Sequence, residues 1–121
     1  ILSCIKALGT KHVLATSAFA EEAEHTANLL FDGDNCLLAE HNSFSVPING
    51  PGDLTSAILM SHMMAGDVAS VTLGAVTSSV YEILERTVRA GSNELMLEQN
   101  ISSLKMPNMA IQVRKILMGE F

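Results

Sequence analysis

The chain has 121 residues, 48% of them hydrophobic, which is enough apolar material for one domain or a large part of one. Its 7 basic and 13 acidic residues give a net charge of −6, and without a Lys/Arg cluster or a set of stacking aromatics we expect no nucleic-acid partner. The longest charge-free stretches, 54–66 and 68–81, are too short to span a bilayer and no secretory signal is present, so the sequence predicts a soluble, cytoplasmic protein without a membrane partner.

The first third of the chain predicts a helix followed by three strands. Apolar residues recur at helical spacing at Ile1, Leu2, Ile5 and Leu8, and Gly9 ends this helix. Residues 12–16 then predict a short buried strand, the second half of a βαβ crossover whose partner strand lies outside this sequence. Two apolar runs, 28–31 and 36–39, flank the turn residues 32–35, which contain Asp-Gly and predict an antiparallel hairpin.

The remainder of the chain reads as mainly helical. Residues 54–65 predict a helix ended by Gly66, and Asp67 is expected to cap a second helix from about 68 to 88. The apolar face expected for this second helix consists of Val71, Ala75, Val76, Val80, Ile83, Leu84 and Val88, and the residues expected outside are Glu82, Glu85, Arg86 and Arg89. Residues 95–97 predict an edge strand or an extended segment, and 109–118 predict a short terminal helix. The pattern indicates a single α/β domain over residues 1–121.

Several other side chains are interpreted structurally. The methionines Met60, Met63 and Met64 fall at core spacing on one helix, and the acidic run Glu21, Glu22 and Glu24 is expected on a solvated face. Both thiols, Cys4 and Cys36, are expected to be buried and free in a reducing compartment. The histidines are scattered at His12, His25, His41 and His62, and no metal site is predicted in this chain.

The segment Gly50-Pro51-Gly52-Asp53 predicts a site for an anion. Glycines let the backbone turn tightly, and the start of the following helix offers unpaired N–H groups and the positive end of its dipole, which suits a phosphate. The carboxylate of Asp53 could take a proton from a hydroxyl that attacks this phosphate. Asp is also a favoured cap or first-turn residue, and a purely structural role is the competing interpretation.

Three motifs resemble ribokinase-like small-molecule kinases, and the similarity is closest to pyridoxal kinases. The first is 50–57, similar to the family's Gly-x-Gly-Asp segment followed by Leu-Thr and small residues. The second is 11–17, similar to a strand that ends in Thr-Ser, and the third is the long helix ending at 81–87 with the later pair Glu94-Leu95. The resemblance spans nearly the whole chain and implies the C-terminal portion of a three-layer αβα fold with an incomplete sheet.

The resemblance also implies roles for individual residues. Asp53 would be the catalytic base that takes the proton from the 5′-hydroxyl of pyridoxal or a related B6 vitamer. The backbone N–H of Asp53, together with Gly50 and Gly52, would form the anion hole. Contacts to ATP are implied for Thr16, Ser17, Gly50, Pro51, Gly52 and, against adenine, Leu84. Pro51 departs from the family pattern because proline has no backbone N–H to donate to a phosphate.

The partners follow from the same resemblance. It implies ATP, pyridoxal or a related B6 vitamer, a Mg²⁺ ion organised mainly by an N-terminal half that this chain lacks, and a homodimer when the protein is full length. The fragment alone is expected to be inactive. Two alternatives stay open: another ribokinase-like small-molecule kinase, and a non-catalytic truncated kinase-like domain that binds a nucleotide or a partner.

Overall fold

One antiparallel sheet with helices on both faces organises the chain. The computed structural model describes residues 2–18, 20 and 22–117. In chain order the elements are α1 (Leu2–Leu8), β1 (Val13–Ala18), β2 (His25–Phe31), β3 (Cys36–Asn42), α2 (Pro51–Met64), α3 (Ala69–Arg89), a 3-10 turn (Glu98–Asn100), α4 (Ile101–Lys105) and β4 (Val113–Ile116). The strands lie in the order β1-β2-β3-β4, each antiparallel to its neighbour. The predicted α/β class is confirmed.

The two faces of the sheet are covered differently. Ile5 of α1 packs on one face in a cluster with Leu29 and Leu38, whereas Leu73 of α3 packs on the other face in a cluster with Leu30 and Leu37. Alternating side chains of β2 and β3 therefore enter two separate cores, because successive residues of a strand point to opposite faces. The result is a three-layer arrangement of helix, sheet and helix.

The β2–β3 hairpin is confirmed and is longer than predicted. Phe31 pairs with Cys36 at the turn, and the Oδ1 atom of Asp32 accepts hydrogen bonds from the N–H groups of Asp34 at 3.0 Å and Asn35 at 2.7 Å. Gly33 has φ +100°, a conformation that glycine adopts without strain. The predicted turn chemistry is therefore what closes the hairpin.

The junction of α2 and α3 differs from the prediction. Gly66, with φ +81°, follows the end of α2 as expected, but Asp67 does not cap α3. Its Oδ2 atom lies 2.7 Å from Nδ1 of His62 instead, and Val68 occupies the cap position of α3. The carboxylate is drawn to the imidazole across the turn, and α3 begins without a side-chain cap.

The predicted apolar face of α3 is partly wrong. Val76, Val80 and Ile83 are buried, but Val71 is 54% exposed because it lies in the first turn, at the rim of the core. Glu82, expected outside, is only 3% exposed. The segment around Asn108 covers this side of α3, and its N–H donates to Oε1 of Glu82 at 2.8 Å. A chain segment far along the sequence thus converts a surface position into an interior one.

The methionines of α2 are not in a core, contrary to prediction. Met60, Met63 and Met64 are 57%, 37% and 82% exposed. The helix packs on α3 through a cluster that includes Ile58, with Leu54 and Leu59 at its margin, so its other sides face outward in the described part of the chain. Helical spacing identified an apolar helix but could not indicate which of its sides packs against the other described residues.

The C-terminal elements also differ from the prediction. Instead of a helix over 109–118, residues Val113–Ile116 form β4, with Ile116 opposite Cys36 on β3. The short helix α4 was not predicted, and residues 95–97 form no strand, with Leu97 already in the right-handed helical conformation that leads into the 3-10 turn. Pairing with the edge of β3 outweighs the weak helical pattern of so short a segment.

Three smaller expectations concern exposure and the chain ends. Cys36 is buried but Cys4 is exposed, so the prediction of two buried thiols is half wrong. Glu22 and Glu24 are exposed as expected. Ile1, Glu21 and Met118, which the predictions also included, lie outside the described residues. Within 2–117, no helix is long and apolar enough to cross a membrane.

Candidate functional site

A cavity of about 340 Å³ lies between the end of β1, the start of α2 and the middle of α3. It brings together five residues that the sequence singled out: Thr16, Ser17, Pro51, Gly52 and Leu84. The other lining residues are Thr26, Asn28, His41, Ser43, Phe44, Val46, Ile48, Thr55 and Val80. Gly50 and Asp53 are next to this wall in the chain but are not among the residues that line it.

A β-bulge shapes the β1 side of the cavity. Thr16 and Ser17 lie opposite a single residue of β2, Asn28, and Ser17 has φ +52°, a left-handed conformation that costs a residue with a side chain about 1–3 kcal/mol. The amide of Asn28 donates to Oγ1 of Thr77 on α3 at 3.1 Å, which fixes the strand opposite the bulge. Such bulges re-aim side chains, and here the two hydroxyls line the cavity.

The glycine loop before α2 is held by a later segment of the chain. The N–H of Asn49 donates to the carbonyl of Asn93 at 3.0 Å, next to a parallel bridge between Asn49 and Glu94. Gly50 has φ +97°, and a Cβ at this position would lie 3.4 Å from Cδ1 of Leu95. The Glu94-Leu95 pair therefore contacts the loop directly, and the φ angle of Gly50 favours glycine there.

Two residues of α3 hold this later segment in place. The hydroxyl of Thr87 accepts a hydrogen bond from the N–H of Met96 at 3.2 Å. Arg86 donates to Oδ1 of Asn100 at 3.0 Å, and the amide of Asn100 donates to the Met96 carbonyl at 2.7 Å. Helix α3 thus positions the glycine loop indirectly: Arg86 and Thr87 hold the 93–100 segment, and this segment holds the loop.

The first turn of α2 presents N–H groups next to the cavity. Gly50 is the N-cap, Pro51 is the first helical residue, and the first intrahelical bond runs from the N–H of Leu54 to the Gly50 carbonyl at 3.2 Å. The N–H groups of Gly52 and Asp53 therefore lie ahead of the helical ladder, at the positive end of the helix dipole. Asp53 has an exposed carboxylate in this first turn and is not the N-cap.

An aromatic group at the cavity was missed by the sequence interpretation. The ring of Tyr81 lies between those of His41 and Phe44, with centroid distances of 5.1 and 5.5 Å. Burial lowers the pKa of His41, with a smaller contribution from His25, while the hydrogen bond to the Asn42 carbonyl opposes the shift. Period-2 alternation along β3 places His41 on the face of Leu37 and Ala39, and this signal could have identified it.

Metal ligands do not cluster in the described part of the chain. Over residues 2–18, 20 and 22–117, no group of three or more His, Cys, Asp or Glu side chains is arranged to hold a metal ion. The oxygen atoms at the cavity are mostly hydroxyls and amides, which suit hydrogen bonds to a polar ligand better than ligation of a divalent cation.

The chain has relatives among known proteins, although no family model matches it. It is 36% identical over 69 residues to pyridoxal kinase PdxY of Rubrobacter xylanophilus, covering 57% of this chain and 24% of that protein. It is 30% identical over 97 residues to pyridoxal kinase PdxY of Leifsonia xyli subsp. xyli, covering 78% of this chain and 34% of that protein. The chain is similar to the C-terminal part of pyridoxal kinases. It spans about a quarter to a third of the length of these curated relatives.

Solved structures agree on the fold. The pyridoxal kinase from Leishmania donovani in complex with ADP and pyridoxine superposes with a TM-score of 0.82 at 20% identity, over 96% of this chain and 42% of that one. A match at this identity shows the fold alone. It confirms the prediction of a ribokinase-like α/β fold with an incomplete sheet.

Proposed function

We propose that this chain is the nucleotide-binding and catalytic-base portion of a kinase that transfers phosphate from ATP to the 5′-hydroxyl of pyridoxal or a close B6 vitamer. The observation that carries the proposal is the convergence of three separate segments on one cavity: the β1 bulge, the first turn of α2 and the middle of α3. The relatives named pyridoxal kinase, and the Leishmania donovani complexes with ADP and with pyridoxine or pyridoxamine, support the choice of substrates.

In this proposal the phosphates bind at the start of α2. The N–H groups of Gly52 and Asp53 and the hydroxyls of Thr16 and Ser17 donate to phosphate oxygens, whose negative charge the helix dipole also favours. The Asp53 carboxylate takes the proton of the attacking hydroxyl. Phosphoryl transfer depends mainly on positioning and on charge stabilisation, and these groups offer both.

The rest of the reaction needs the part of the kinase that this chain does not cover. We propose that the missing part supplies most of the vitamer pocket and organises Mg²⁺, which would neutralise phosphate charge, and that the chain alone does not turn over substrate. A homodimer of the complete protein in the cytoplasm belongs to the same proposal.

Nucleotide binding by the 121-residue chain tests the first half of the proposal. We expect titration calorimetry to detect ADP binding, and Thr16→Ala to weaken it about threefold to tenfold through loss of one hydrogen bond. The matched control is Ser102→Ala, an exposed position on α4, which should leave the affinity unchanged. Absence of ADP binding by the wild-type chain, or equal effects of the two variants, would contradict the assignment of the cavity.

Turnover is tested in a chimaera in which the matched part of this chain, 78% of it, replaces the corresponding segment of the Leifsonia xyli relative. We expect the chimaera to phosphorylate pyridoxal with ATP and the chain alone to form no product. A folded chimaera that binds ADP and shows no turnover would favour a non-catalytic nucleotide-binding domain.

Pro51 is the observation that favours this second candidate. It occupies the first helical position of α2 and lines the cavity, where another residue would offer a backbone N–H. A lost charge-assisted hydrogen bond is worth about 1.5–3 kcal/mol. Pro51→Ala in the chimaera should therefore raise turnover about tenfold or more, with Pro47→Ala as the control in the same loop. No rise would show that this N–H is not used.

A further inference from the structure

His41 is the polar ring of the cavity wall that the proposed mechanism does not use. It lies on β3 opposite Thr26, its ring packs against Tyr81, and the nearby wall includes Leu84 and Phe44. A planar, largely apolar group such as a purine suits this wall, whereas phosphates suit the N–H and hydroxyl groups at the bulge and at α2. The lining of this one cavity thus includes both kinds of group that a nucleotide requires.

The hydrogen bonding of the ring defines its tautomer. Nδ1 of His41 lies 2.8 Å from the carbonyl oxygen of Asn42. Because a carbonyl can only accept, Nδ1 carries the proton in this bond, and Nε2 of the neutral ring has a lone pair. Burial lowers the pKa of His41, which favours this neutral form at pH 7. Nε2 of this cavity-lining residue is therefore a hydrogen-bond acceptor.

We propose that His41 determines the nucleotide base, with its Nε2 atom accepting a hydrogen bond from the exocyclic amine of adenine. Guanine carries a carbonyl oxygen at the corresponding ring position, and two acceptors facing each other repel, so guanine could not form this hydrogen bond with Nε2. This inference rests on the proposed function, since it takes the cavity as a nucleotide site. It adds a selectivity residue to that site.

The test is a binding series on the 121-residue chain by titration calorimetry. The probes are ADP, GDP and purine riboside 5′-diphosphate, which lacks the amine and adds no acceptor. We expect the wild-type chain to bind ADP about threefold to tenfold more tightly than the purine analogue, the range for one neutral hydrogen bond, and GDP more weakly still. His41→Phe, which keeps a ring against Tyr81, should bind ADP and the analogue equally.

Two further variants complete the design. His12→Phe is the matched control, because His12 is exposed and lies outside the cavity, and it should keep the wild-type preference. His41→Gln retains an acceptor and should keep most of the preference. Circular dichroism melting checks that each variant is folded. If His41→Phe binds none of the probes, the Gln variant decides: a retained preference supports the proposal and a lost preference overturns it.

The outcomes separate this inference from the proposed function. If the wild-type chain binds none of the three diphosphates, the nucleotide site itself is refuted. If it binds ADP but shows no preference over the purine analogue, or if His41→Phe keeps that preference, the role of His41 is overturned and the proposed function stands.

Discussion

Asp53 has two interpretations, a catalytic base and a structural first-turn acid, and one substitution distinguishes them. It lies at the third helical position of α2, and its carboxylate is exposed rather than engaged as the N-cap. Asp53→Asn removes the basicity while keeping the size of the side chain, and it also removes the modest interaction of the charge with the helix dipole. In the chimaera we expect the turnover number to fall about 10²–10⁴-fold, the range for loss of a general base, with ADP affinity largely unchanged. Steady-state kinetics and calorimetry measure the two quantities.

The control for this prediction is Asp34→Asn, another exposed acid, in the β2–β3 turn. It should leave turnover at the wild-type level. Near-normal turnover of Asp53→Asn together with a lower melting temperature would instead identify Asp53 as a residue that only stabilises the start of α2.

The site residues differ in how far the sequence could predict them. The glycine loop was singled out because a Gly-rich helix start carries a local signature, whereas Thr16 and Ser17 were singled out by the family resemblance, and one cavity brings both together with Pro51 and Gly52. Their roles stay predictions. For His41 the alternation along β3 indicates only the face of the sheet, and for Asn28 the sequence gives no signal, since what makes both part of the wall is the packing of α3 over the hairpin, a contact between distant segments.

At the scale of elements, the buried carboxylate of Glu82 ties α3 to the segment before β4. Burial raises the pKa of Glu82, but the Ser103 hydroxyl, the N–H groups of Asn108 and Met109 and the charge of Arg86 together lower it below its ordinary value of 4.5. A group whose pKa is lower in the folded than in the unfolded state stabilises the fold at pH above the unfolded pKa, and this stabilisation is lost as the pH falls through the folded pKa.

We therefore expect Glu82→Gln to lower the free energy of unfolding at pH 7 by about 1–3 kcal/mol, because it removes charge-assisted hydrogen bonds in the interior. The difference from wild type should shrink as the pH falls below 4.5, where Glu82 of the unfolded wild-type chain is protonated, and it should disappear below the lower pKa of the folded state. Urea unfolding at several pH values measures this. Glu85→Gln, which breaks an exposed pair with Arg89, is the control and should cost about 0.3–0.5 kcal/mol. An unfolding difference that does not vary with pH would exclude this role of the charge.

Elements with strong local signals were predictable and those that depend on distant partners were not. The hairpin follows from Asp-Gly between apolar runs, and α2 and α3 follow from long apolar patterns ended by small residues or by a turn. Strand β4 has only four residues and is defined by pairing with β3, so its own sequence carried little information. The prediction that Asp67 caps α3 was wrong for a similar reason, because the imidazole of His62 binds the same carboxylate.

At the scale of the whole molecule, α2 is supported on one side. Thr55 and Ile58 are its buried residues, and its apolar cluster is shared with α3, while Met60 and Met64 are mostly exposed. Strand β1 is an edge of the described sheet. Each end of α2 borders a cavity on this side of the molecule. Gly52 at the start of α2 shares one cavity with Thr16, and Met63 at its end shares another with His12, which precedes β1. A helix that is apolar around its circumference is usually enclosed, so the isolated chain leaves this helix weakly held.

Hydrogen exchange tests this consequence. Local opening is easiest where few apolar contacts are lost, so in the 121-residue chain the amides of α2 should exchange at least tenfold faster than those of α3 around Val76 and Ile83, both of which are fully buried. In the chimaera, where the rest of a ribokinase-like domain is present, the α2 amides should slow by at least tenfold while the α3 amides change less. Equal protection of α2 in the chain and the chimaera would show that α3 alone suffices to hold it, and that the exposed methionines meet no partner surface in the longer protein.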